Sequence, residues 1–320
     1  MYEVRAMLSS WDLHGLRVSV EGDDVACAAW QSIFAPVPRA ASDGGGLGCR
    51  MRIVRRTPAP PDRAPDFSHG ELLQYYVDGD VVRAHFPRFG EIEIDLARAT
   101  SDLRIVPAAL QTYGVLEDLV AVSLSPHLRR RRRFLIHAFA ACRDGRAALI
   151  VGGVGAGKTT TGLSLLDAGW KLLSNDSPLV AEAGSILSYP GRLSAFPDAL
   201  ERFASTRHLA AGAATDGRAK IVVAAESVWP AVWAKSAPVG AILFPQVERR
   251  PDHRLEPLGA ADTIRRLLPH AVEGWDKCMI SPHLAVLGQL AAAAPGFVLH
   301  LSDDTSTLPA VIASALRNGP

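Results

Sequence analysis

Between residues 147 and 176 the chain passes from an apolar run, Ala147 to Val151, into Gly152-Gly153-Val154-Gly155-Ala156-Gly157 and then Lys158-Thr159-Thr160. A helix-compatible stretch, Thr160 to Ala168, follows. Without a Cβ the glycines let the backbone curl around an anion. Successive N–H groups and the N-terminus of the helix then face that anion. Gly152, Gly157, Lys158 and Thr159 fit the pattern G-x-x-x-x-G-K-[ST] in full, and the strand before and helix after supply the context the pattern needs. The run predicts a loop that holds a nucleoside triphosphate, ATP or GTP, through Gly152, Gly153, Gly155, Ala156, Gly157, Lys158, Thr159 and Thr160. Lys158 would reach the β- and γ-phosphates, and the Thr159 hydroxyl would take a place on Mg²⁺.

The bulk properties narrow the rest. A chain of 320 residues makes one large domain or two ordinary ones. Apolar residues are 48% and charged residues 21%, a globular composition. A formal net charge of +1 gives no general reason to expect nucleic acid or a membrane as partner. Cys27, Cys49, Cys142 and Cys278 lack C-x-x-C spacing and are expected to be thiols in a reducing compartment. No basic region followed by an apolar core opens the chain, and no apolar stretch approaches a membrane span. The expectation is a cytoplasmic protein.

Along the chain, residues 1–35 alternate as strands do, at Leu16 to Val20 and again around Val25-Ala26-Cys27. Residues 36–70 are rich in Pro, Gly, Ala and Arg, including Gly44-Gly45-Gly46, and read as a long loop with one strand, Arg50 to Val54. A hairpin follows, Leu72 to Val77 and Val81 to Phe86 about Asp78-Gly79-Asp80, and then a strand from Glu91 to Asp95. Residues 108–124 read as a helix. The five arginines Arg129 to Arg133 suggest a solvated helix end or a partner-facing patch. Strands are expected at Phe134 to Ala140, Ala147 to Val151, Lys171 to Leu173, Pro178 to Ala181, Ile221 to Ala224 and Ala241 to Phe244. Helices are expected at Ala260 to Leu268 and His283 to Ala294. The expected class is α/β, with a β-rich region over residues 1–107 and a mixed sheet with flanking helices over residues 108–320.

The segment from Phe134 to Val180 resembles the serine kinase/phosphorylase of the histidine-containing phosphocarrier protein, HPr kinase, and in particular the shorter HPr-kinase-like proteins found beside biosynthetic genes. The resemblance rests on Ile136-His137-Ala138 upstream of the glycine loop, then Gly169-Trp170-Lys171-Leu172-Leu173 and Ser174-Asn175-Asp176 downstream. Ala241-Ile242-Leu243-Phe244-Pro245 and Leu255-Glu256-Pro257-Leu258 extend it, so that it spans residues 130–310. It implies that His137 lies near the γ-phosphate and that Asp176 is a metal-side or catalytic carboxylate. From the residues alone, Asp176 ends a short apolar strand that would lie beside the loop's strand, where a second acid for the metal belongs.

Two departures follow. The family's acidic pair is Asp-Asp, and here it is Asn175-Asp176; an amide takes no proton near neutral pH, so Asn175 cannot be the general base. The stretch Ser188-Tyr189-Pro190-Gly191-Arg192 lacks the metal-side Glu of the larger HPr kinases, which argues against a phosphocarrier substrate and against phosphorylase activity. Lysine is rare, at 158, 171, 220, 235 and 277, and Lys220 is either a solvated loop residue or a cation on the transferring phosphoryl group. Arg192 and Arg202 are weaker candidates for that second role. Trp170 and Trp275 are expected in core packing ahead of lining an acceptor pocket.

Together these features predict a Mg²⁺- and ATP-dependent phosphotransferase acting on a hydroxyl of a peptide or small molecule, such as a ribosomal peptide precursor. Lys158, His137, Asp176 and Asn175 would line the reacting end, with Thr159 and Asp176 on the metal. The alternative is a nucleotide-binding regulatory or scaffold module without transfer chemistry. Homo-oligomerisation and the role of residues 1–107 stay open, with substrate recognition the suggestion for the latter.

Overall fold

A computed structural model describes residues 7–40, 46–211, 220–248 and 251–317. The chain divides into two compact units. The first ends at Arg131 and takes in Glu273–Lys277, and the second holds the remainder.

The first unit is built on β1 (Met7–Leu13), β2 (Leu16–Gly22), α1 (Asp24–Phe34), β3 (Leu47–Ile53), β4 (Phe67–His69), β5 (Leu73–Asp78), β6 (Val81–Phe86), β7 (Gly90–Asp95), β8 (Thr100–Ile105), α2 (Ala108–Gln111) and α3 (Val115–Arg129). The eight strands form one sheet in the order β1-β2-β3-β8-β7-β6-β5-β4. Strand β2 alternates as its sequence requires, with Leu16, Val18 and Val20 buried. Helix α1 then carries the crossover to β3, which runs parallel to β2.

The strand expected around Val25-Ala26-Cys27 is therefore a helix. Asp23 caps it by accepting the Ala26 N–H, and Ala26, Cys27, Trp30, Ile33 and Phe34 form its buried stripe. The expected loop of residues 36–70 carries β3 and the short β4, while Gly44 and Gly45 lie outside the described residues. The helix expected over 108–124 is interrupted at Gly114, which adopts φ +79°. The expected boundary at residue 107 moves to Arg131, because α3 buries Leu116, Leu119, Val120, Leu124 and Leu128 within the first unit.

The arginine run is corrected at Arg129 alone, since Arg130, Arg131 and Arg132 are exposed as a solvated helix end is. Arg129 is 1% exposed, donates to Asp276 at 2.9 Å and lies 3.7 Å from Glu273, while Arg130 reaches Asp276 at 2.6 Å. Arg129 and Arg130 thus fix the Glu273–Lys277 segment, whose Trp275 stacks on Tyr75 with ring centroids 4.8 Å apart.

The second unit contains β9 (Phe134–Leu135), β10 (Ala138–Arg143), β11 (Arg146–Val151), α4 (Lys158–Asp167), β12 (Lys171–Ser174), β13 (Leu179–Ala181), β14 (Ser185–Leu187), β15 (Leu193–Ala195), α5 (Pro197–Glu201), α6 (Arg207–Ala210), β16 (Ile221–Val223), α7 (Ala225–Val228), β17 (Ser236–Val247), β18 (Arg254–Leu258), α8 (Ala260–Leu267), α9 (Ile280–Ala293), β19 (Gly296–Leu301) and α10 (Leu308–Arg317). Its main sheet is mixed. The order is β12-β10-β11-β17-β14-β13-β9, with β19 also on β17 and β18 on β19. Strands β11, β17 and β19 are parallel, and β10 is antiparallel to both β11 and β12.

Alternation places Phe139, Ala141, Ala148 and Ile150 in one core with α4 and α10 residues. It places Ala138, Ala140, Leu149 and Val151 in another with Leu267 of α8 and Leu287 and Leu290 of α9. A sheet buried on both faces explains why these strands read as continuous apolar runs. The chain is thus mixed α/β throughout. Among the described residues no helix is long and apolar enough to cross a membrane.

Candidate functional site

Strand β11 delivers the chain to Gly152, and α4 takes it away at Lys158, so the glycine run sits at the carboxyl end of a central strand. Gly155 and Gly157 have φ of +79° and +95°, which non-glycine residues rarely adopt. A Cβ on Gly157 would also meet Leu301 Cδ1 at 2.6 Å and would have to push that side-chain end aside. The Ala156 N–H donates to the Gly153 carbonyl at 3.3 Å and tightens the loop. Gly152 is buried at its base, Gly153 is exposed, and Thr159 and Thr160 are half-buried in the first turn of α4. The first N–H groups of any helix lack partners within it, and here they open onto the loop.

Lys158 is 8% exposed and folds its side chain back over the loop. Its ammonium donates to the carbonyls of Gly152 at 2.6 Å and Gly153 at 3.0 Å and lies 3.0 Å from His137 Nε2. Burial pulls the ammonium below its usual range, against the opposing charge of Asp176.

His137 and Asp176 meet because their strands pair on either side of them. The Ala138 N–H donates to the Asp176 carbonyl at 2.9 Å and the Ile136 N–H to the Pro178 carbonyl at 3.1 Å. His137 Nδ1 then lies 3.2 Å from Asp176 Oδ1. The protein around Asp176 works against its charge, but the hydrogen bond from His137 and the Lys158 ammonium outweigh this and hold the carboxyl below the usual carboxylate range. Its side chain keeps 60% of its surface exposed.

Strand β12, which leads to Asp176, does not lie beside β11 as expected. It pairs with β10, so β10 separates Asp176 from the loop's own strand. The carboxylate is brought close through His137 on the intervening strand segment.

Asn175 stands outside this chain of contacts. Its amide nitrogen donates to the Arg192 carbonyl at 3.4 Å, and its Oδ1 is buried without a hydrogen-bond partner. Lys220 lies over the Phe196 ring at 5.4 Å, and its charge is felt at both Asp176 and Lys158. Arg202 is exposed just past α5, and Asp216 to Ala219 lie outside the described residues. Trp170 is buried in the second unit and Trp275 in the first, so both tryptophans serve core packing.

One residue that sequence patterning missed joins the site. His270 ends a short turn after α8; its carbonyl accepts the His137 N–H at 2.7 Å, and the two rings are 6.3 Å apart. Burial first, and then the neighbouring His137 and Lys158, push its imidazole below the ordinary value. No local motif marks it, since long-range pairing alone brings it to His137.

No protein-family model matches the chain, and no curated protein sequence matches it. Among solved structures it is similar to the Hpr(Ser) kinase/phosphatase from Coxiella burnetii, at 14% identity over 57% of this chain and 94% of that chain, with a TM-score of 0.27. So low a TM-score leaves the functional reading to the site's own geometry.

Proposed function

We propose that the second unit is an HPr-kinase-like P-loop phosphotransferase that moves the γ-phosphoryl group of ATP, or GTP, to a hydroxyl of a peptide or small molecule. The observation that carries this reading is the run of contacts from Lys158 through His137 to Asp176, at the mouth of a loop shaped by two glycines of positive φ. An ammonium, an imidazole and a held-down carboxylate at a helix N-terminus suit the charge spread over a transferring phosphoryl group. The loop amides with Thr160 would hold the phosphates, and Lys158 would exchange its carbonyl partners for β- and γ-oxygens.

Thr159 and Asp176 are the side chains that suit Mg²⁺. Among the described residues no group of three or more His, Cys, Asp or Glu could hold a metal. One carboxylate, one hydroxyl, phosphate oxygens and water nevertheless make an ordinary Mg²⁺ environment. The exposed face of Asp176 fits that use, and the ion would supply charge neutralisation between the phosphates.

His137 and Asp176 lie on the β10–β12 side of the loop. The nucleoside would then leave on the other side, over Leu301 and Val247, the two side chains nearest Gly157. The first unit is assigned to acceptor recognition, with a biosynthetic intermediate such as a ribosomal peptide precursor as the acceptor class.

A second reading is a nucleotide-binding module without transfer, and Asn175 is the observation that favours it. Incubation with γ-labelled ATP and Mg²⁺ separates the two. Transfer by the wild type that is lost in Lys158→Ala supports the phosphotransferase, whereas transfer only after Asn175→Asp supports the module. Unchanged affinity and turnover in Lys158→Ala would remove the site assignment altogether.

A further inference from the structure

We propose that His270 is the proton acceptor of the reaction, taking the proton of the attacking hydroxyl as its oxygen bonds to the γ-phosphorus. The assignment rests on the phosphotransferase reading and adds the group that reading lacks.

The argument is one of elimination within the site. Lys158 can only donate, and its ammonium already has three partners. His137 has both ring nitrogens engaged, Nδ1 by Asp176 and Nε2 by Lys158. Asp176 is engaged by His137 at 3.2 Å, and it is the carboxylate the phosphotransferase reading gives to Mg²⁺. Asn175 is an amide with no proton affinity near neutrality. His270 alone among the imidazoles at the site has neither ring nitrogen hydrogen-bonded to any described residue, and its backbone is fixed to His137 by the 2.7 Å bond to its carbonyl.

The environment suits the role. Among the described residues the titratable groups that act on His270 are His137 and Lys158, and burial above all keeps the ring neutral and able to accept. In the step itself the hydroxyl O–H proton passes to a ring nitrogen lone pair. The oxygen forms its bond to phosphorus, the bond from phosphorus to the β-bridging oxygen breaks, and the nucleoside diphosphate leaves with that electron pair. The imidazolium then returns its proton to water.

The test uses the full chain, γ-labelled ATP with Mg²⁺ and water as the acceptor, read as labelled phosphate released in a single turnover. His270→Asn and His270→Gln are expected to slow release by about 10²- to 10⁴-fold while ATP affinity stays within about twofold of wild type. In His270→Ala, added imidazole is expected to restore release in proportion to its unprotonated fraction, which a merely structural role would not produce. Rates near wild type in His270→Asn and His270→Gln, a loss of ATP affinity in either, or no rescue by imidazole would overturn the assignment. If Lys158→Ala abolishes release and the His270 variants do not, the base assignment alone fails. If the wild type releases no phosphate, the phosphotransferase reading fails with it.

Discussion

His137 Nδ1 lies 3.2 Å from Asp176 Oδ1, with Lys158 Nζ 3.0 Å from the other ring nitrogen. A carboxylate can only accept and an ammonium can only donate, so the imidazole proton belongs on Nδ1 and the Nε2 lone pair faces Lys158. The carboxylate thus sets the tautomer, and the tautomer sets where the lysine points.

Asp176→Asn breaks that arrangement at its origin. An amide accepts more weakly and presents a donor in place of one oxygen, so His137 loses its fixed tautomer and the proposed Mg²⁺ would lose its one acidic side chain. Phosphoryl transfer is expected to fall by about 10²-fold or more. ATP affinity measured without Mg²⁺ should fall far less than transfer, because the loop amides are untouched and Lys158 keeps its Gly152 and Gly153 carbonyl partners. Calorimetric titration with and without the metal reads the difference; equal Mg²⁺ enhancement of binding in both proteins would remove Asp176 from the metal.

The buried pair Arg129–Asp276 makes a stability prediction in the first unit. Both side chains are almost fully buried, at 1% and 2% exposed. Asp276→Ala leaves a buried guanidinium short of its partner and is expected to cost about 3–5 kcal/mol in urea unfolding. Arg129→Met combined with Asp276→Ala removes both charges and should recover much of that loss. A double variant as unstable as the sum of the singles would show that the pair is not energetically coupled.

The site was legible where chemistry is local. A glycine run between an apolar strand and a helix needs no tertiary information, and Lys158 and Thr159 could be placed from spacing. His270 was not legible, because a histidine after Pro269 in a surface turn carries no periodic signal until β-pairing brings His137 to it. The neighbour of β11 is hidden from the sequence for a related reason. A short segment such as Lys171 to Ser174, with Leu172 and Leu173 at its centre, states that it is a strand but not which strand it pairs with. Over Val25-Ala26-Cys27 alone, helix α1 fits either period; Trp30, Ile33 and Phe34 settle it at 3.6. Arg129 shows the limit of charge-run reasoning. A run of arginines suggests solvent, and only the return of Glu273–Lys277 from far along the chain supplies the buried partner.

His127 gives the first unit an acid-sensitive element. It is 2% exposed and 3.2 Å from Ser101 Oγ; burial first, and then the charge of Arg131, push it down from 6.5 to about 4. The unfolded chain binds the proton more readily, so the stability from the neutral buried ring is complete above about pH 6.5. It is lost as pH falls from there towards 4, and amounts to about 3 kcal/mol. Urea unfolding at about pH 5 and about pH 8 should differ more in the wild type than in His127→Gln, which has no proton to take up. Equal pH dependence in the two proteins would show that His127 is not the group responsible.

Gly162 lies in α4, where a Cβ would meet three carbons of the Phe139 ring at 2.4 to 2.6 Å. Alanine is the better helix former by about 1 kcal/mol, which alone would make Gly162→Ala stabilising. Phe139 is fully buried in β10, however, and packs in one core with Ile150, Leu163 and Leu166, so its ring has no free direction in which to retreat. Forcing an atom into such a core costs about 1–3 kcal/mol, and the packing term is expected to win. The strain should move α4 away from the sheet, carrying Lys158 and the first-turn amides with it. A lower melting temperature and weaker ATP binding are therefore expected together. Phe139→Leu added to Gly162→Ala removes the ring edge that collides and should recover ATP affinity even where stability is not fully regained. A Gly162→Ala protein that melts at or above the wild-type temperature with unchanged ATP affinity would show that α4 does not rest on Phe139 as closely as the structure places it.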